Sequence, residues 1–233
     1  MADDKLLVLA FYVVVDVSIS MEHNGGLIGA NTILPTVADA IEASPTLGDV
    51  VRFGAMDFSD DARVVLRLGD IRDVRTLPQF TVRGGTSYEA AFTLLRQEID
   101  RDVAQLRSDN YRVYRPAVFF ITDGEPTDAP DALNSAFEHL TSPSFAARPN
   151  LIPFGVGGAT KALLDPWVYP KEADSKKSMR SYVAKDGVRP EDAVRQIAEV
   201  LVSSVIASAG SVNSAGSTGG FVPPADDDLE DWL

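Results

Sequence analysis

Apolar runs and amphipathic segments alternate along the chain. Short runs rich in β-branched and aromatic residues predict six strands, at residues 11–15, 50–58, 62–68, 117–122, 151–156 and, more weakly, 181–184. The third run follows the second so closely that only a hairpin can join them, so we expect that strand to be antiparallel. The fourth and fifth runs are almost wholly apolar, which is typical of central strands buried on both faces.

Apolar residues spaced three or four positions apart predict helices that cover this sheet. The two clearest series are Leu95, Ile99, Val103 and Leu106, and then Val194, Ile197, Leu201 and Val205. A third helix over 30–41 contains Pro35, which predicts a kink or a late start, and a fourth is expected at 130–140. The pattern predicts an α/β fold: a doubly wound, mostly parallel six-stranded sheet with one antiparallel edge strand and helices on both faces.

The composition changes near residue 210. Residues 1–209 are expected to form one domain, because 233 residues with 45% hydrophobic content can bury a full core. Residues 210–220 are rich in Gly and Ser, which predicts a flexible linker, and together with the end of the chain they form a tail over 210–233. That end, FVPPADDDLEDWL, is acidic and carries apolar anchors at Phe221, Leu229, Trp232 and Leu233. It is interpreted either as a docking peptide or as a solvated tail that aids solubility.

Charge and cysteine content exclude several classes of function. The formal net charge of −13 repels phosphate backbones, so we expect no nucleic-acid partner. The absence of cysteine excludes disulfides and thiolate metal sites, so oxygen or imidazole must hold any metal. His23 and His139 have no second ligand at helical spacing and are expected at the surface. The apolar run at 6–15 is too short for a membrane span and follows acidic residues, so we expect a soluble, cytoplasmic protein.

Three polar segments follow predicted strands or glycines. Asp16, Ser18 and Ser20 come directly after the first strand, Thr86 follows two glycines, and Asp123 ends a central strand. Ligands bind at the carboxyl ends of the strands in such sheets, so these oxygens are expected to converge. Hydroxyls with one or two carboxylates suit Mg²⁺ and leave its charge only partly neutralised, so an outside carboxylate can complete the site. The alternative is that the serines cap a helix and the aspartates end strands in hydrated turns.

These segments resemble the metal-ion-dependent adhesion site (MIDAS) of the von Willebrand factor type A (vWA) family, over roughly residues 5–205. The resemblance implies a Rossmann-like vWA fold. It also implies Mg²⁺ or Mn²⁺ held by Asp16, Ser18 and Ser20, with Thr86 and Asp123 binding directly or through water. Ile19 stands where the motif commonly has Gly, and a positive φ there would strain a β-branched residue. A slightly reshaped turn is therefore expected.

Residues 99–128, ending in VFFITDGEPTD, look most similar to the TerY-like branch, which is associated with tellurium resistance and chemical stress. That resemblance implies an adaptor that is not an enzyme and whose first partner to test is a protein kinase or a PP2C-type phosphatase. An assembly factor for an AAA+ ATPase is the alternative. A metal-dependent hydrolase is a third hypothesis, but the motif offers no separate general base, and there is no Gly-rich phosphate loop with a Lys.

The rim of the site is expected to select the partner. It is predicted to contain residues 21–24, 87–88 and 125–127, with Met21 exposed for a protein contact. Glu125 and Asp128 are expected to shape their turn rather than to bind the ion.

Overall fold

The computed structural model describes residues 5–171, 179–215, 220–225 and Trp232. In this part of the chain a single seven-stranded sheet is built from β1 (Leu6–Asp16), β2 (Val51–Phe58), β3 (Ala62–Gly69), β4 (Tyr111–Val113), β5 (Ala117–Thr122), β6 (Asn150–Gly155) and β7 (Tyr182–Val183). Six strands follow the order β3-β2-β1-β5-β6-β7, and only the β2–β3 pair is antiparallel. The predicted strands and the antiparallel edge are confirmed. The additional β4 pairs with the first residues of β1, and its three residues are too few to show a periodic pattern.

Eight helices surround the sheet in the described residues: α1 (Ile19–His23), α2 (Gly26–Ala30), α3 (Ile33–Glu42), α4 (Pro45–Val50), α5 (Tyr88–Ser108), α6 (Pro130–Thr141), α7 (Lys161–Leu164) and α8 (Pro190–Ala215). Pro35 lies in the first turn of α3, where a backbone N–H has no partner within the helix, so the late start expected from this proline is confirmed.

The two faces of the sheet carry two separate apolar cores. Phe11, Val13 and Val15 of β1 point to the core that α2, α3 and α8 cover, whereas Tyr12 and Val14 point to the core under α5 and α6. Both faces are therefore covered, as the predicted doubly wound fold requires. Because β1 lies in the middle of the sheet, its carboxyl end is enclosed by neighbouring strands and loops.

Helix α8 extends to Ala215, so the linker predicted from residue 210 does not begin there. Serines on this helix explain the extension, because they bind a returning segment of chain. Ser208 Oγ accepts a hydrogen bond from the Val222 backbone N–H at 2.8 Å, and Ser211 Oγ accepts one from the Gly220 N–H at 3.3 Å. Residues 216–219 of the predicted linker lie outside the described residues.

The described parts of the tail, 220–225 and Trp232, lie against the domain. Phe221 is buried and packs edge-on against Phe11, with ring centroids 6.0 Å apart. The Trp232 indole N–H donates to Gln196 Oε1 at 3.1 Å, and its ring packs against Phe154 at 5.5 Å. These two side chains, named as apolar anchors of either a docking peptide or a solvated tail, bury apolar surface of their own domain. Leu229 and Leu233 lie outside the described residues.

One helix in the described residues, over Pro190–Val212, is long and apolar enough to cross a membrane by length and composition. Its most apolar window is 56% buried inside the domain, and the core helix of a soluble protein passes the same test. The helix packs against α2 and α3, which accounts for its apolar composition.

Candidate metal site

Asp16 ends β1 with a side chain that has no exposed surface. Its Oδ1 accepts a hydrogen bond from the Ser18 backbone N–H at 2.8 Å. Its Oδ2 accepts one from Thr122 Oγ1 at 2.7 Å. Thr122 ends the neighbouring strand β5, so the parallel pairing of β1 with β5 brings the two side chains together. The carboxylate is therefore held in one orientation by groups from two strands.

A line of polar side chains joins the first loop to the loop after β5. The Ser18 and Ser20 hydroxyl oxygens lie 3.0 Å apart, and Ser20 Oγ donates to Asp123 Oδ1 at 2.8 Å. Asn24 Nδ2 donates to Asp123 Oδ2 at 2.6 Å. Although Ser18 stands at the N-cap of α1, its side chain makes no capping hydrogen bond. The capping alternative is therefore wrong for Ser18, whose hydroxyl faces the other site residues.

Thr86 lies in the loop before α5 and is fixed through its backbone. Its carbonyl oxygen accepts hydrogen bonds from the Thr127 N–H at 2.8 Å and from Thr127 Oγ1 at 3.0 Å. The Thr86 side chain is buried, and its hydroxyl makes no hydrogen bond within the described chain. No direct side-chain contact joins Thr86 to the other predicted site residues there. Thr86 nevertheless lies in a loop that is tied to the loop carrying Asp123.

The glycines before Thr86 let this loop approach its neighbours closely. A Cβ on Gly84 would clash with the Asp60 carboxylate, so a side chain there would require Asp60 to move from its place beside the loop. The Gly85 N–H donates to Asp60 Oδ1 at 3.0 Å, and the Gly84 carbonyl accepts from the Ile19 N–H at 3.2 Å. The three predicted segments are thereby connected by hydrogen bonds at one edge of the sheet.

The two buried carboxylates of the site, Asp16 and Asp123, both have raised pKa values. Burial raises the pKa of Asp16 to about 6, against the lowering effect of its hydrogen bonds, and Asp123 raises it further. Burial also raises the pKa of Asp123, while Ser20 and Asn24 lower it. In the described part of the chain neither carboxylate forms an ion pair with a lysine or arginine. The ionised site therefore carries negative charge without an ion-pair partner among the described residues.

A divalent cation fits these residues. The described residues contain no cluster of three or more His, Cys, Asp or Glu side chains, so an ion held here must bind hydroxyl oxygens as well as carboxylates. Mg²⁺ and Mn²⁺ accept such oxygen ligands. Two buried carboxylates without a basic partner in the described chain fit as ligands, those of Asp16 and Asp123. Three hydroxyls also fit, those of Ser18, Ser20 and Thr86, and the Thr86 hydroxyl makes no hydrogen bond in the described chain.

The turn at Ile19 avoids the strain that a positive φ would cause. Asn110 is the one non-glycine residue with positive φ in the described chain, so Ile19 has ordinary backbone geometry, which is compatible with the reshaped turn expected there. Ile19 is 50% exposed, whereas Met21, predicted at the rim, has no exposed surface. Residues two positions apart in an α-helix are rotated by about 200° around the helix axis, so the side chains of Ile19 and Met21 point in nearly opposite directions. The exposed apolar side chain next to the serines is thus Ile19.

The other predicted rim residues divide into two groups. Glu22, His23 and Glu125 are exposed, but Ser87 and Tyr88 are buried. Tyr88 Oη donates to the Gly124 carbonyl at 2.7 Å and so supports the loop after β5 from below.

Asp128 shapes its turn as expected. Its Oδ1 accepts from Ser87 Oγ at 2.6 Å and its Oδ2 from the Glu89 N–H at 3.1 Å. It thereby holds the loop after β5 to the start of α5, where a negative charge is favourable.

The sequence did not reveal the supporting roles of two residues, Thr122 and Asn24, although Asn24 lies in the predicted rim. Thr122 binds Asp16 and Asn24 binds Asp123, yet both belong to common residue types with no distinctive spacing. Thr122 lies next to Asp123 at the end of β5, and this position beside a parallel strand end was the available signal.

Residues 11–125 match a family model described as a von Willebrand factor type A domain. The chain has the Rossmann-like fold of vWA domains. The matched residues include all five predicted site residues of the vWA domain. A search of curated protein sequences gave no match.

Solved structures share this vWA fold at low sequence identity. Proximal thread matrix protein 1 (PTMP1) from the mussel byssus, with a zinc-occupied MIDAS motif, is 16% identical with a TM-score of 0.57, and the match covers 87% of this chain and 48% of that one. The pilus adhesin SpaC from Lactobacillus rhamnosus GG is 14% identical with a TM-score of 0.55, and the match covers 88% of this chain and 31% of that one. The vWA chain therefore spans about half the length of the byssus protein and about a third of the adhesin. Such similarity shows the fold, and the TerY-like branch stays a hypothesis.

Proposed function

We propose that this vWA domain binds a protein partner by holding Mg²⁺ or Mn²⁺ among Asp16, Ser18, Ser20, Thr86 and Asp123 and presenting it to an Asp or Glu of the partner. One observation carries the proposal. Two buried carboxylates are linked through Ser18 and Ser20, because the Ser18 backbone N–H donates to Asp16 and the two hydroxyls lead to Asp123, and in the described chain no basic side chain forms an ion pair with either carboxylate.

The domain's own residues prepare the site. Ser18 N–H and Thr122 Oγ1 orient Asp16, and Asn24 orients Asp123. Ser20 donates its one hydrogen to Asp123, so it accepts the hydrogen of Ser18 across their 3.0 Å contact and keeps one lone pair for a cation. A bound divalent cation supplies an open coordination position for a carboxylate, because the neutral hydroxyls leave part of its charge unbalanced. The partner's acidic side chain is then recognised only while the ion is present.

We further propose that the domain is not an enzyme. A metal-dependent hydrolase needs a general base or a nucleophile near the metal water. In the described chain the hydrogen bonds to the five site residues come from hydroxyls, an amide side chain and backbone N–H groups, and none comes from a histidine or lysine. The two carboxylates are both engaged in the binding arrangement.

The cellular role follows from the resemblance to the TerY-like branch. On that basis we propose a cytoplasmic adaptor in tellurium resistance and stress signalling, with a protein kinase or PP2C-type phosphatase as the first partner to test. An assembly factor for an AAA+ ATPase is the second candidate. Deleting the tail would not distinguish the adaptor from the assembly factor, because the deletion would also remove Phe221 and Trp232, which are buried in the domain. Substituting Asn for Asp at residues 226–228 removes acidic charge from the tail and keeps these two side chains.

Affinity capture from the native cell tests the proposal. Wild type, Asp16→Ala and Asp39→Ala are compared with Mg²⁺ and with EDTA. Asp39 is exposed on α3, so its variant removes the same charge away from the site. We expect a partner that wild type and Asp39→Ala retain with Mg²⁺ and that EDTA and Asp16→Ala release. Equal recovery under all conditions would contradict the proposal. Fractionation of the same cells tests the cytoplasmic location.

A further inference from the structure

A groove of about 280 Å³ lies beside the loop that carries Asp123. Its lining includes five apolar side chains from the loop after β5, from α6, and from α7 and the turn after it: Pro126, Pro130, Leu133, Leu163 and Trp167. Two carboxylates of the same loop, Glu125 and Asp128, also line it, and no lysine or arginine does. The groove is therefore apolar with a negative border.

The groove is close enough to the site for one partner segment to reach both. Glu125 follows Asp123 by two positions, and two residues of extended chain span at most about 7 Å. A residue one to three positions from a carboxylate at the metal can therefore reach Glu125. Ile19, half exposed between the two serines, gives the other side of the site an apolar contact as well.

The charge around the site is unfavourable for a simple acidic ligand. Glu22 and Glu125 are exposed at the rim, and the chain has a net charge of −13. A partner that presents only acidic residues would be repelled before its carboxylate reached the ion. A cationic side chain next to that carboxylate would offset the repulsion.

Glu125 is the carboxylate best placed to meet such a cation. Asp128 already accepts hydrogen bonds from Ser87 and from the Glu89 backbone. Glu125 is exposed and forms no ion pair in the described part of the chain. Its charge is thus available to a partner at the border of the groove.

We propose that the partner segment combines three side chains within about four residues: an Asp or Glu for the metal, a Lys or Arg against Glu125, and an apolar side chain in the groove. This inference rests on the proposed metal-dependent function and adds the sequence that the site selects. It excludes uniformly acidic peptides as good ligands.

Selection from a phage-displayed library of random peptides tests this inference. Peptides are bound to the immobilised full chain with millimolar Mg²⁺ and eluted with EDTA. We expect the eluted peptides to share the acidic, basic and apolar residues in close succession. Synthetic peptides from the selection are then measured with the basic residue kept, changed to Gln, or changed to Glu.

Two charge-reversal variants serve as a matched pair. Glu125→Lys and Glu138→Lys change the net charge equally, but Glu138 is exposed on α6 and does not line the groove. We expect Glu125→Lys to lower the affinity for the selected peptide by about three- to tenfold, because an attractive exposed ion pair is replaced by a repulsive one. The variant should also lose the preference for the basic residue in the peptide. Glu138→Lys should leave that preference intact. Thermal unfolding verifies that both variants are folded.

The possible failures are distinguishable. If Mg²⁺-dependent acidic peptides are selected without a basic or apolar preference, or if the two variants behave alike, this inference is wrong and the proposed function stands. If no peptide depends on Mg²⁺ and on an acidic residue, the proposed function itself is contradicted.

Discussion

Asp16 and Asp57 are two fully buried carboxylates near the ends of adjacent parallel strands, where Asp57 pairs in register with Val15. Asp57 accepts hydrogen bonds from Arg63 Nη2 at 2.9 Å and from Arg83 Nη2 at 2.8 Å. Among the described residues, Asp16 accepts hydrogen bonds only from a backbone N–H and a threonine hydroxyl. The described chain thus pairs one buried carboxylate with arginines and leaves the other without a cationic partner.

The position of Arg83 strengthens this contrast. Its backbone N–H donates to the Val17 carbonyl at 2.8 Å, so its main chain lies directly beside the first site loop. Its guanidinium nevertheless pairs with Asp57 and Asp61, away from Asp16. A basic residue therefore lies close to the first site loop in space, yet its guanidinium pairs with the structural carboxylate Asp57.

The largest expected effect is on stability. Asp57→Ala leaves two arginines without their buried partner and should lower the free energy of unfolding by about 3–5 kcal/mol. In a domain of this size that corresponds to a fall in Tm of roughly 6–20 °C. Asp16→Asn should cause no such loss in EDTA, because it removes a buried charge and keeps the side-chain shape. Thermal unfolding of both variants measures the difference, and equal destabilisation would end the distinction between the two carboxylates.

The next effect is a pH dependence that belongs to Asp16. Its pKa is about 6 in the folded domain against 3.8 ordinarily, so the unfolded chain releases this proton first as the pH rises. The contribution of Asp16 to stability is fully present below about pH 4 and is lost through pH 6, by up to about 3 kcal/mol. Urea unfolding in EDTA should show this loss in wild type relative to Asp16→Asn.

The same urea unfolding experiment can be repeated with Mg²⁺ in place of EDTA. Millimolar Mg²⁺ should reduce the loss above pH 6, because a cation favours the ionised carboxylate and binds only the folded domain. Parallel pH profiles for wild type and Asp16→Asn, with or without Mg²⁺, would show that Asp16 does not titrate as described.

A smaller effect is expected at Asn24, which orients Asp123 through a 2.6 Å hydrogen bond. Asn24→Ala should weaken Mg²⁺ binding by about tenfold, in the range found for residues that orient metal ligands. Asn134→Ala, an exposed asparagine on α6, is the control and should bind as wild type does. Calorimetric titration gives both affinities, and unchanged affinity in Asn24→Ala would remove this residue from the site.

Much of the fold could be predicted because its strands are long and apolar. The runs that became β2, β3, β5 and β6 differ from the predicted ranges by one residue at most. β1 extends beyond the predicted 11–15, since its first residues pair with β4, a strand too short to detect. The end of α8 was missed because its serines are satisfied by Gly220 and Val222, and such a tertiary contact leaves no local pattern.

The site was predicted in part for a similar reason. Asp16, Ser18, Ser20 and Asp123 follow strand ends, and topology alone brings strand ends together. The exposure of Ile19 and the burial of Met21 depend on the rotation of the short helix α1, which five residues do not define by periodicity. The support from Thr122 depends on the register between β1 and β5, which is set only when the sheet forms.

Calorimetric titration of the purified chain with Mg²⁺ and Mn²⁺ tests the central claim most directly. Wild type and Asp57→Asn should each bind one ion, whereas Asp16→Asn should bind none at millimolar concentration. If neither ion binds wild type at millimolar concentration, or if Asp16→Asn binds as wild type does, the domain does not hold a cation at this site.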